Sequence, residues 1–264
     1  MKLCIVPFII YFGDIRREKN VMRKVGVLFF LFIFLTLISA KPGDYNNLGG
    51  GWTEIGGMAS LGDKLYIISG GKLYETTKDG KYKSLGGGWI EIGGMTSLGD
   101  KLYIISGGNL YETTKDGKYK SLGRGWIEIG GMASLGDKLY IISGGNLYET
   151  TKDGKYKSLG GGWIEIGGMA SLGDKLYIIS GGNLYETTKD GKYKSLGGGW
   201  IEIGGMASLG DKLYIISGGN LYETTKDGKY KSLGRGWIEI GGAASNNDKL
   251  YIISGKILYS TETK

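Results

Sequence analysis

The chain has 264 residues and a formal charge of +7, room for one or two domains of ordinary size. Six basic and two acidic side chains fall in the first forty residues, so residues 41–264 carry only +3, with the signs alternating along the chain. Without a basic stripe to steer a polyanion, nucleic acid is excluded as an expected partner. The chain has no His, and its one Cys is Cys4, which removes most nucleophile–base pairs and soft metal sites; no cofactor and no metal are expected.

The chain opens with a leader. Met22, Arg23 and Lys24 precede an apolar run from Val25 to Ser39 that ends at Ala40. A short positive region, an apolar stretch and a small boundary residue form the pattern of a secretory signal peptide, with the start at Met22 and cleavage near Ala40. The run is shorter than the roughly 20 residues that cross a bilayer as a helix. Residues 1–40 are therefore expected to be a leader, and residues 41–264 a secreted or extracytoplasmic protein with no stable membrane insertion after cleavage. An uncleaved N-terminal anchor is the alternative.

Beyond the leader, Trp52, Trp89, Trp126, Trp163, Trp200 and Trp237 recur every 37 residues. A period of this size marks a solenoid or a propeller. Gly punctuation and β-branched or aromatic runs such as Leu65-Tyr66-Ile67-Ile68 make each unit all-β. Four strands fit one unit: Trp52–Ser60, Lys64–Ser69, Lys72–Thr77 and Lys81–Leu85. Asp79-Gly80 reads as a two-residue hairpin with both residues at positive φ. Hairpin-linked antiparallel units of four strands are propeller blades. The first strand contains Gly56, Gly57, Ala59 and Ser60, which suit a crowded axis. The second is apolar on both faces, and the fourth carries Lys81 and Lys83, charges that suit an outer edge.

The last unit stops after its third strand, Ile257–Thr261, and the missing fourth appears at the start of the repeat region. Tyr45 and Leu48 precede Trp52 by the same intervals at which Tyr82 and Leu85 precede Trp89. Asp44–Leu48 is thus expected to complete the last blade. The fold class is all-β, a six-bladed β-propeller of four-stranded antiparallel blades closed by its N-terminal strand.

The pattern Gly50-Gly51-Trp52, Ile55, Leu65-Tyr66, Ile68, Gly71 and Leu73-Tyr74, repeated in each copy, resembles the tachylectin-2 and tectonin group of lectin propellers. The likeness covers residues 43–264, although tachylectin-2 has five blades and a longer repeat. It implies recognition of sugars on cell surfaces at sites repeated between blades.

The six Trp are the sharpest candidates for ligand contact, since an indole joins an apolar face to a donor edge; packing between blades is the alternative for each. The hairpin order puts the Gly-rich links before each Trp on one face of the ring, together with Asn109, Asn146, Asn183 and Asn220 and with Arg124 and Arg235. Amide and guanidinium groups beside an aromatic ring suit hydroxyl-rich ligands, and they suit solubility equally. Glu54, Asp63, Glu75, Asp79 and their copies include pairs that could serve a glycosidase. Asp63 and Asp79 are read as turn residues, however, and Glu75 as a solvated strand position facing Lys. Near-identical blades also argue against one asymmetric active site. The expected function is a secreted, multivalent, non-catalytic carbohydrate-binding protein for cell-surface or extracellular glycans, its weak sites gaining avidity from presentation in one plane. The alternative is a protein-interaction scaffold without sugar specificity. A degenerate glycan-processing enzyme is a third reading.

Overall fold

Alternating burial and paired turns generate the first blade. In the computed structural model, which describes residues 45–246 and 248–262, the chain Ile55-Gly-Gly-Met-Ala-Ser-Leu61 forms β2 (Ile55–Leu61). It is followed by β3 (Lys64–Ser69), β4 (Lys72–Thr76) and β5 (Tyr82–Gly87), hydrogen-bonded in that order. Four blades repeat the plan: β6–β9 over residues 92–124, β10–β13 over 129–161, β14–β17 over 166–198 and β18–β21 over 203–235. The last blade takes β22 (Ile240–Asn246), β23 (Lys249–Ser254) and β24 (Ile257–Glu262) from the C-terminal end and β1 (Tyr45–Gly50) from the other. Its sheet order is β1-β24-β23-β22, and Tyr45 lies opposite Thr261. The expected clasp is present. The leader, residues 1–40, lies outside the described residues.

The first strand of each blade packs against the first strands of both neighbouring blades, all the way round. Small residues make this approach possible. A Cβ on Gly56 would meet Ile92 of the next blade at 2.6 Å, and one on Gly130 would meet Ile166 at 2.5 Å. The second strand is sealed on both faces: Leu65, Tyr66, Ile67 and Ile68 are at most 1% exposed. Burying each such side chain contributes about 1.5–3 kcal/mol. The core is accordingly divided into six layers between blades. In one of them, Ala59, Tyr66, Ile68 and Leu73 of the first blade meet Trp89, Met95, Leu102 and Ile104 of the second.

Two features differ from the sequence reading. The first strand begins at Ile55 rather than Trp52, because Glu54 and its five copies adopt positive φ, which ends the extended geometry. The Asp79-Gly80 turn is also longer than two residues. Only Gly80 has positive φ, and Thr77 closes the loop, its N–H donating to the Lys81 carbonyl at 2.7 Å and its hydroxyl bonding Asp79 and the Lys81 carbonyl. The two-residue turn with both φ positive is instead Gly70-Gly71, at 53° and 67°.

We call the face carrying the Gly70-Gly71 turns and the links before each Trp the upper face. The opposite, lower face carries the Leu61–Lys64 and Thr77–Lys81 turns.

Candidate functional site

The six Trp lie in the blade junctions and are 4–7% exposed. Each indole meets two tyrosines: Trp126 stands edge-on to Tyr148 at 5.6 Å and tilted to Tyr156 at 5.1 Å. Most of each ring therefore serves as core. A small cleft of about 50 Å³ remains over Trp126, bounded by Arg124, Gly125, Ser143, Tyr148 and Tyr156. Its counterpart at Trp237, next to Tyr45 and Tyr259, is about 240 Å³. Arg124 lies opposite Asn109 across the β8–β9 pair, as Arg235 lies opposite Asn220. The Asn amides are used locally. Those of Asn109, Asn146, Asn183 and Asn220 donate at 3.0–3.1 Å to the carbonyls of Gly107, Gly144, Gly181 and Gly218 and fix the upper turns. The structure thus gathers Trp126 and Arg124 in one junction but turns the Asn side chains back on their own hairpins.

A second arrangement, which the sequence reading did not select, surrounds the axis. Glu54, Glu91, Glu128, Glu165, Glu202 and Glu239 immediately precede the six innermost strands, and all six are exposed on the upper face. Their φ values are 44–47°, in the left-handed region that costs a residue with a Cβ about 1–2 kcal/mol. A serine fixes each one. Ser106, 5% exposed, accepts from Ile90 N–H at 3.0 Å and donates to Ile90 O at 2.7 Å, clamping the residue before Glu91. The Gly107 N–H adds a bond to the same carbonyl at 3.0 Å. Beside the acids stand Ile90, Ile127, Ile164, Ile201 and Ile238, 63–64% exposed.

These groups line broad clefts at the axial mouth. One, of about 610 Å³, is bounded by Glu91, Glu128, Ile127 and the Gly107-Gly108 turn. The next, of about 360 Å³, runs from Glu128 to Glu165 past Ile164. Glu128 borders both. Among the described residues, no group of three His, Cys, Asp or Glu converges to hold a metal. The available signal was a carboxylate placed two residues after each Trp and just before a Gly-Gly strand, a position where Gly or Asn would enter positive φ more cheaply.

Other titratable groups are structural. Tyr66, buried at 1% exposure, points its hydroxyl at Glu75, 3.4 Å away, and Glu75 pairs with Lys83 at 3.2 Å. Burial, and then the Glu75 charge, push the Tyr66 phenol up to about 12, and Tyr103, Tyr140 and Tyr177 behave alike. The Thr77 hydroxyl, with Lys81 behind it, holds the Asp79 carboxyl below its usual range.

No family model and no curated protein matches the sequence. Solved structures do match. A protein assigned as a gluconolactonase superposes with a TM-score of 0.69 at 14% identity, over 84% of this chain and 92% of that one. A gluconolactonase from Xanthomonas campestris gives 0.66 at 13%, over 83% and 89%. A luciferin-regenerating enzyme gives 0.66 at 12%, over 83% and 95%. These neighbours are enzymes, where the sequence reading expected a non-catalytic carbohydrate-binding lectin and no enzymatic activity; that expectation is overturned. Neither a tachylectin nor a tectonin stands among them, so the family resemblance reduces to its coarser content. At identities of 12–14% what the chain shares with these structures is the fold, a six-bladed β-propeller.

Proposed function

We propose that the propeller is a hydrolase that opens small cyclic esters at the axial mouth of its upper face, with the rim glutamates as general bases. The observation that carries this reading is the set of six glutamates held at φ 44–47° on the rim of the clefts. Left-handed backbone at a residue with a Cβ persists where the surrounding structure imposes it, and such positions cluster at functional sites. The neighbouring gluconolactonases lend the substrate class.

In the proposed step, the Glu128 carboxylate takes a proton from a water molecule and the resulting hydroxide attacks the ester carbonyl. The ring C–O bond breaks, and the proton passes from Glu128 to the departing alkoxide, giving an open hydroxy acid. Ile127 and Ile164 flank Glu128 and offer apolar contact to the carbon face of the substrate. Since the six rim positions are equivalent, each is a potential base.

The test is a pH-stat assay of the full chain on a panel of neutral lactones. Turnover above the uncatalysed rate is expected, with a loss of about 100-fold or more when all six glutamates become Gln. Absence of turnover, or full activity in the six-fold variant, overturns the reading. Export of the chain is a separate proposal, supported by the Met22–Ala40 pattern. N-terminal sequencing of chain recovered outside the cell checks it, and a chain that still begins before Val25 overturns it.

A further inference from the structure

The charges of one repeat nearly cancel within it. Glu75 pairs with Lys83 at 3.2 Å and Asp79 with Lys81 at 3.1 Å, and both pairs recur in the four following blades. The lower turns add Asp100–Lys101, Asp137–Lys138, Asp174–Lys175 and Asp211–Lys212, at 3.2–3.9 Å. The second, third and fourth repeats each leave over one glutamate and one lysine, at opposite ends of the ring, and the second also Arg124. On the upper face the rim glutamates have no ion pair among the described residues, and on the lower face neither do Lys115, Lys152 and Lys189, whereas the Lys226 charge acts on Asp211.

Both sets lie near the innermost strands. Each glutamate stands just before an innermost strand, at its upper end. Lys115, Lys152, Lys189 and Lys226 reach back over the turn that follows the innermost strand of the preceding blade. A Cβ built on Gly62 would lie 3.8 Å from the Lys115 ammonium, and those on Gly99, Gly136 and Gly173 would lie 3.6–3.7 Å from Lys152, Lys189 and Lys226. The other upper-face cations are Lys72, Arg124, Arg235 and Lys256. They stand on or beside third and fourth strands, farther from the axis.

We infer that the partner of the upper face is the lower face of a second copy of this chain, stacked coaxially, head to tail. The pitch of the two rings is the same because both come from one 37-residue repeat, and their charges are opposite. The exposed isoleucines beside the glutamates give this face an apolar component that the aliphatic stems of the lysines can cover. Two upper faces meeting would oppose like charges. The head-to-tail contact uses different patches on the two copies, so it does not close and extends into a column. Stacking covers the axial mouth of every ring except the terminal one. The inference does not rest on the proposed hydrolysis, and stacking would close the mouth at which that hydrolysis is placed.

Sedimentation velocity of the full chain at about 20 mM and about 500 mM salt tests this, because exposed charges are screened beyond a few ångströms at the higher value. A concentration-dependent series of oligomers is expected at low salt and a single monomer boundary at high salt. The variant K115E/K152E/K189E and the variant E91K/E128K/E165K should each remain monomeric at low salt, and an equimolar mixture should assemble again, since each supplies the face that the other needs. All substituted positions are exposed, and unchanged far-ultraviolet circular dichroism confirms folding. The inference is overturned if the wild type stays monomeric at low salt. It is equally overturned if assembly resists salt and persists in the lysine variant, as assembly driven by the apolar leader would, or if the mixture fails to assemble while the wild type does.

Discussion

The innermost and outermost strands of each blade are both rich in glycine, for opposite reasons. On the inner strand there is no space: a Cβ at Gly56 or Gly130 would lie 2.5–2.6 Å from an isoleucine of the next blade. On the outer strand there is ample space and the constraint is conformational. Gly86 and Gly160 have nothing within 4 Å of a Cβ, but φ values of 120° and 117°. One residue type thus closes the ring at the axis and bends the strand at the rim. Composition alone does not separate the two roles.

Four experiments act on this contrast, in descending order of effect. Removing the one outer strand that the ring needs for closure, β1, by deleting residues 41–48 exposes the edge of β24 and uncovers Trp237. A fall in melting temperature on the order of 10 °C, or loss of the folded state, is expected in a thermal scan. An unchanged transition would refute the clasp. At the inner strand, Gly130→Val forces three carbons against Ile166 and should cost about 3 kcal/mol by urea unfolding. At the outer strand, Gly160→Ala meets only backbone strain and should cost about 1–2 kcal/mol. If the inner substitution proved the milder, the distinction drawn between the strands would fail. Smallest is Lys157→Ala, which removes an exposed partner of Glu149 and should change stability by less than about 1 kcal/mol.

Alkaline titration sharpens the contrast between buried and exposed positions. The phenols of Tyr66, Tyr103, Tyr140 and Tyr177 are raised to about 12, above the ordinary value of 10. A group with a raised folded pKa contributes stability that is fully present below its unfolded value, so the contribution is intact below pH 10 and is lost as pH rises from 10 to 12. Tyrosinate absorbance from these four phenols should therefore appear only well above pH 10. Ionisation of these four phenols near pH 10, with the protein still folded, would contradict the burial.

Much of the architecture was legible because a propeller blade writes itself in chemical alternation. Leu65-Tyr66-Ile67-Ile68 is apolar on both faces and is buried on both. The offset of Tyr45 and Leu48 from Trp52 announced the pairing of β1 with β24. The candidate site was far less legible. The Trp residues drew attention as ligand contacts and are largely core. The rim glutamates read as part of the first strand, since Glu54 falls within Trp52–Ser60 and its positive φ is seen only in the structure.

The sequence by itself determined the number of blades, the order of their strands and the split blade that closes the ring, since these depend on local pattern and period. Only the tertiary structure decided which side chains converge. Hydrogen bonds from Ser106 and Gly107, sixteen or seventeen residues downstream, set the backbone just before Glu91. Stacking against the preceding blade places the Lys115 ammonium over Gly62. Both outcomes depend on contacts between segments distant in the chain, which exist only once the ring has closed.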